Sequence, residues 1–197
     1  MPRLFKWSAQ VRSHFRRMNG YALTILIALL ATTGSSGQSH AAPNEYEVKA
    51  AFLYNFAKFM AWPPSPSPTE ATFTICILGD DPFGPALDLL KGKPVDGRPV
   101  EVRRLTKPGE IGRCRIVFVG LPYAREIAGL AENLKDKPVL TVGDGQGFVR
   151  SGGMVGFVLT DGRIRFEIDP DRIAPTGLTV SSQLLNLAII TRAGGSS

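Results

Sequence analysis

The chain has 197 residues, 44% of them hydrophobic, with 23 Lys and Arg against 17 Asp and Glu and a formal charge of +6. The excess is local: Arg3, Lys6, Arg12, Arg16 and Arg17 all precede the first acidic residue, Glu45, so the remainder holds 18 cations against 17 anions. A basic isoelectric point confined to one end is no evidence for nucleic-acid binding, and nucleic acid is not expected as a partner. His14 and His40 fall in the same end, so residues 43 onward contain no histidine; a Ser-His-Asp triad is excluded there and no metal site is expected.

Residues 1–42 read as an export leader. A basic stretch is followed by an apolar run from Ala22 to Ala31, then by small and polar residues ending in Ser39-His40-Ala41-Ala42, a small-x-small cleavage pattern. The apolar run is shorter than the roughly 20 residues that span a bilayer as a helix. Glu45 to Ala61 is predicted as an amphipathic helix, with Asn44 as N-cap and a stripe of Val48, Phe52, Phe56, Phe59 and Met60 widened by Leu53. Trp62-Pro63 ends it, and Pro63 to Pro68 is a stiff connector.

Further along, Phe73 to Leu78 is an apolar strand, and Phe83 to Leu90 a short helix opened by Asp80-Asp81-Pro82. Pro99 to Leu105 alternates like a half-exposed strand, Arg115 to Val119 is a second apolar strand, Pro122 to Leu134 a helix, and Val139 to Val142 another strand. Met154 to Thr160 and Arg163 to Ile168 flank Asp161-Gly162, a hairpin signal. Ser181 to Ile190 reads as a C-terminal helix. The alternation predicts an α/β three-layer sandwich over residues 43–192: a mostly parallel sheet, an antiparallel edge hairpin and the N-terminal amphipathic helix, with 193–197 a flexible tail.

Asp80, Asp81 and Asp144 follow predicted parallel strands, at the end of the sheet where ligands bind in open α/β folds. They are candidates for contact with a partner, together with Phe83; capping and turn closure are the plainer roles for the aspartates. Arg165 and Glu167 share one strand face and are candidate anchors for a polar ligand, against a plain reading as solvated strand surface. Cys76 and Cys114 are expected as a disulfide in an exported chain, the alternative being two buried thiols. The glycines from Gly143 to Gly147 do not fit a dinucleotide fingerprint, and Gly-x-Ser-x-Gly is absent. No catalytic residue and no cofactor is predicted.

Several stretches together resemble the YfiR-like periplasmic proteins: Glu45 to Phe59 through Trp62-Pro63, Cys76 to Gly84, Leu140 to Asp144 with Gly147-Phe148, Gly152 to Val155, Arg165 to Ile168, and Gly177-Leu178 with Ser181-Ser182. The resemblance implies a non-enzymatic periplasmic repressor. Its partner would be the periplasmic sensor domain of an inner-membrane diguanylate cyclase, whose cyclic-di-GMP output and biofilm response it would lower. It further implies sequestration by an outer-membrane peptidoglycan-binding lipoprotein, a homodimer, and a disulfide of Cys76 with Cys114. A second cysteine pair carried by some members near Asp144 to Gly153 is missing here. A periplasmic small-molecule binder without a cyclase partner is the alternative.

Overall fold

A computed structural model describes residues 44–64 and 70–192. The predicted leader, the tail and most of the proline connector lie outside the described residues. The first helix, α1 (Glu45–Phe59), opens on a capping box: the Asn44 side chain accepts from the Glu47 amide at 2.9 Å, and the Glu47 carboxylate accepts from the Asn44 amide at 3.0 Å. It stops two residues earlier than predicted. Met60–Ala61 is extended as β1 and pairs antiparallel with β9 (Thr179–Val180), a partner that lies 119 residues away by register (Met60 opposite Val180 is a separation of 120, Ala61 opposite Thr179 of 118) and that no local pattern announces.

Among the described residues the main sheet has eight strands, in the order β10 (Ile189–Ile190), β8 (Arg163–Ile168), β7 (Val155–Thr160), β6 (Leu140–Asp144), β5 (Ile116–Val119), β2 (Phe73–Leu78), β4 (Arg98–Leu105) and β3 (Pro94–Val95). β2, β4, β5, β6 and β7 are parallel. β8 returns antiparallel to β7 through Asp161-Gly162, both with positive φ (51° and 70°), as a type I′ turn requires. β3 is antiparallel to β4 across a second Asp-Gly turn, Asp96-Gly97, again with positive φ at both residues.

Two cores flank the sheet, which makes the predicted three layers. Phe73, Ile75, Ile77, Ile116, Phe118, Leu140 and Val142 face α1, whose Leu53, Phe56 and Ala57 are fully buried. Alternate residues Cys76, Leu78, Val117 and Val119 face α3 (Ile127–Leu134), which contributes Ile127, Leu130 and Leu134. The buried stripe of α1 runs through Lys49, Ala50, Leu53, Phe56 and Ala57, rotated from the predicted one. Its alanines let the helix approach the sheet, while Phe52 sits at the flank against Phe157 and Phe166, and Phe59 is exposed.

Two predicted helices are shorter than expected. α2 is Pro85–Asp88, and the segment Pro122 to Leu134 begins with a 3-10 turn at Tyr123–Glu126 before α3. After α4 (Pro170–Ile173), α5 (Ser182–Leu187) is capped by Ser181, which accepts from the Leu184 amide at 3.3 Å. The predicted C-terminal helix does not reach Ile190. Ile189–Ile190 forms β10, parallel to β8, so the hairpin is covered and is not the sheet's outermost element. β-branched residues beside an open strand gain a ladder there that a helical turn would not supply.

Candidate functional site

From β2 the chain crosses to β4 on one side of the sheet and then to β5 on the other. Connections leaving the carboxyl ends of β2 and β5 therefore diverge, and a crevice opens at this switch point. The two loops cross at close range: the Asp80 amide donates to the Leu121 carbonyl at 2.8 Å. A Cβ on Gly120 would lie 2.2 Å from the Asp80 carbonyl oxygen, and one on Gly79 (φ +84°) would lie 2.5 Å from the Leu121 carbonyl oxygen. Only glycine fits either position. Above the crossing is a cavity of about 460 Å³, walled by Tyr46, Asp80, Phe118, Leu121, Ala124 and Asp144 among others.

α1 closes one side of this cavity through a polar cluster. Tyr46 Oη donates to Asp144 Oδ2 at 3.2 Å, and Lys49 Nζ donates to the same oxygen and to Glu45. The Lys49 side chain is 2% exposed, with its ammonium 4.6 Å from the Tyr46 ring centroid and 5.8 Å from that of Phe157. Burial alone would lower the Lys49 pKa; hydrogen bonds to Asp144 and Glu45 and the Asp144 charge outweigh it and hold the ammonium above its ordinary value. Burial and the neighbouring Asp144 carboxylate push the Tyr46 phenol up as well.

The residues singled out in the sequence do not gather at one place. Asp80 is exposed at the cavity mouth, and its carboxylate makes no hydrogen bond or ion pair among the described residues. Asp144 is across the cavity. Asp81 is occupied in its own loop: it accepts from the amides of Phe83 (2.8 Å) and Gly84 (3.2 Å) and from Arg104 Nε (2.7 Å). Phe83 is 3% exposed, edge-on to Tyr46 and Phe118 with ring centroids 5.4 and 4.8 Å away. It is core rather than an exposed contact, because the Asp81 turn folds it inward. Arg165 and Glu167 alternate with Phe166, which faces α1, and so lie on the opposite face of the sheet from the Asp144 cluster. Cys76 and Cys114 are bonded, with Cα atoms 5.8 Å apart. Lys49 was not singled out, although Leu53 and Phe56, four and seven residues further on, share its buried stripe.

Comparison with known proteins is decisive for the family. The family model described as YfiR/HmsC-like matches residues 46–189. This chain belongs to the YfiR/HmsC-like family. YfiR/HmsC-like proteins are periplasmic regulators associated with repression of membrane diguanylate cyclases, and the Cys76–Cys114 bond fits an oxidising compartment. Two solved structures are more distantly similar. A conserved domain protein from Vibrio cholerae O1 biovar El Tor is 12% identical with a TM-score of 0.48, covering 77% of this chain and 62% of that one. The ABC domain in complex with L-Trp from Streptococcus pneumoniae is 13% identical with a TM-score of 0.43, covering 62% and 56%. The YfiR/HmsC-like chain thus spans less than two thirds of either structure, and neither likeness bears on its function.

Proposed function

We propose that this protein is exported by its 1–42 leader, which is then removed, and represses an inner-membrane diguanylate cyclase by binding the cyclase's periplasmic sensor domain. The observation that carries this reading is the family match over 46–189. A repressor of this kind must bind the inhibited state of its target more tightly than the active one, since equal affinity shifts nothing. The contact surface we assign is the rim of the switch-point cavity: Asp80, the exposed Leu121, the part-exposed Asp144 and the polar side of α1. A homodimer, and sequestration by an outer-membrane peptidoglycan-binding lipoprotein, belong to the same proposal.

The test is crosslinking in living cells with a tagged copy, combined with a cyclic-di-GMP reporter. Capture of a cyclase, and a rise in the reporter when the gene is deleted, are the expected results. Asp80→Arg should weaken repression without changing the melting temperature, because the Asp80 carboxylate makes no hydrogen bond or ion pair among the described residues. Asp144→Arg is the poorer probe, since it would set a second cation beside buried Lys49. A deletion strain with an unaltered reporter would sink the proposal.

A further inference from the structure

We propose that the switch-point cavity binds a small organic cation with an apolar body. This assignment does not rest on the repressor reading, and it concerns a ligand rather than a protein partner. The volume, about 460 Å³, is in the range of small-molecule sites, and the position is where open α/β sheets place ligands. Phe118, Val119, Leu121, Ala124, Pro82 and the Tyr46 ring make the walls predominantly apolar.

The polar groups fix the sign of the charge. Asp80 brings a carboxylate with no partner of its own among the described residues. Asp144 brings a second, and both of its donors, Tyr46 and Lys49, sit on Oδ2. Oδ1 carries no hydrogen bond among the described residues and keeps its acceptor capacity, as does the Tyr46 oxygen, which donates its single proton to Asp144. Lys49, the cation bonded to Asp144, is buried and held between Glu45 and Asp144, so it cannot turn to meet an anion. An ammonium or amidinium entering the cavity finds acceptors on two sides and aromatic or aliphatic surface for its body. A carboxylate of the same shape meets like charge.

Three probes that share a phenethyl body test this on the purified protein by backbone amide NMR: phenethylamine, 2-phenylethanol and 3-phenylpropionate. Phenethylamine should shift the amides of Gly120, Leu121 and Gly145 and bind about tenfold more tightly than the other two, the scale of a charge-assisted hydrogen bond. Asp80→Asn should remove most of that preference, and added salt should weaken it. Ala124→Trp, at a half-buried wall position, should abolish binding of all three probes. Equal affinity for the amine and the acid, shifts confined to other surfaces, or an unchanged affinity in folded Ala124→Trp would each overturn the assignment. So would the absence of any shift at about 10 mM phenethylamine.

Discussion

Lys49→Met isolates the charge of a buried lysine while keeping most of its stem against Tyr46 and Phe157. In the folded protein the ammonium is 2% exposed, whereas Asp144 is 33% exposed and Glu45 53%. Removing one partner of a fully buried pair costs about 3–5 kcal/mol, and an exposed pair contributes about 0.2–1 kcal/mol. The asymmetry here sets the order of the variants. Lys49→Met leaves Asp144 bonded to Tyr46 and within reach of water, and should cost about 1–2 kcal/mol. Asp144→Ala leaves the ammonium buried with only the exposed Glu45, and should cost about 2–4 kcal/mol. The double variant should lose less than the sum, with a coupling of about 1–3 kcal/mol. Urea unfolding reads all three. With a slope of about 2 kcal/mol per molar, a loss of 2 kcal/mol lowers the midpoint by about 1 M. A coupling below about 0.5 kcal/mol, or a Lys49→Met more damaging than Asp144→Ala, would refute the account of a cation that needs Asp144 more than Asp144 needs it.

The same cluster makes alkaline stability sensitive to pH. Both Lys49 and Tyr46 have folded pKa values above their ordinary ones of 10.5 and 10.0, so the native state keeps protons the unfolded chain releases. Their contribution is therefore full below pH 10 and is lost as pH rises through the folded values; a Lys49→Met/Tyr46→Phe variant should show a shallower decline in stability above about pH 10 than wild type. Cys76→Ser should destabilise by about 4 kcal/mol on the chain-entropy argument for a 38-residue separation, and dithiothreitol should then affect wild type but not the variant. Gly120→Ala should lower the melting temperature markedly, because its Cβ would fall 2.2 Å from a backbone oxygen that cannot turn aside; an unchanged melt would mean that the loop crossing is loose.

The long strands were legible because each carries its own signal. Phe73–Leu78 is apolar on both faces, Arg98–Leu105 alternates, and Asp161-Gly162 announces the hairpin. Met60–Ala61, Thr179–Val180 and Ile189–Ile190 are two-residue strands whose existence depends on distant partners, and nothing local distinguishes them from helix ends. Asp96-Gly97 is a missed signal of the same kind as Asp161-Gly162, obscured by the prolines at 94 and 99. At the site, Asp80 and Asp144 were readable from their place after strands. Phe83 was misread because its burial follows from the turn that Asp81 and Arg104 build around it, a contact between residues 23 apart. Lys49 shows the converse: a charged residue on an apolar stripe reads as surface until the carboxylate 95 residues away is seen beside it.

The Cys76–Cys114 bond divides the chain in a way that secondary structure does not. It closes a covalent ring that holds α2, β3 and β4, the whole flank of the sheet on one side of the switch point, with α1 on one tail and β5 to β10 on the other. A chain drawn out by its ends would extend only the tails, while roughly 130 Å of contour, 38 residues at about 3.4 Å each, stays locked in the ring. A protease that threads its substrates would meet a stopper at the same place from either direction. Degradation from either end can consume the tails, but completing it in the oxidised protein requires cutting inside the ring or reducing the bond, so residues 76–114 should outlast the rest of the chain.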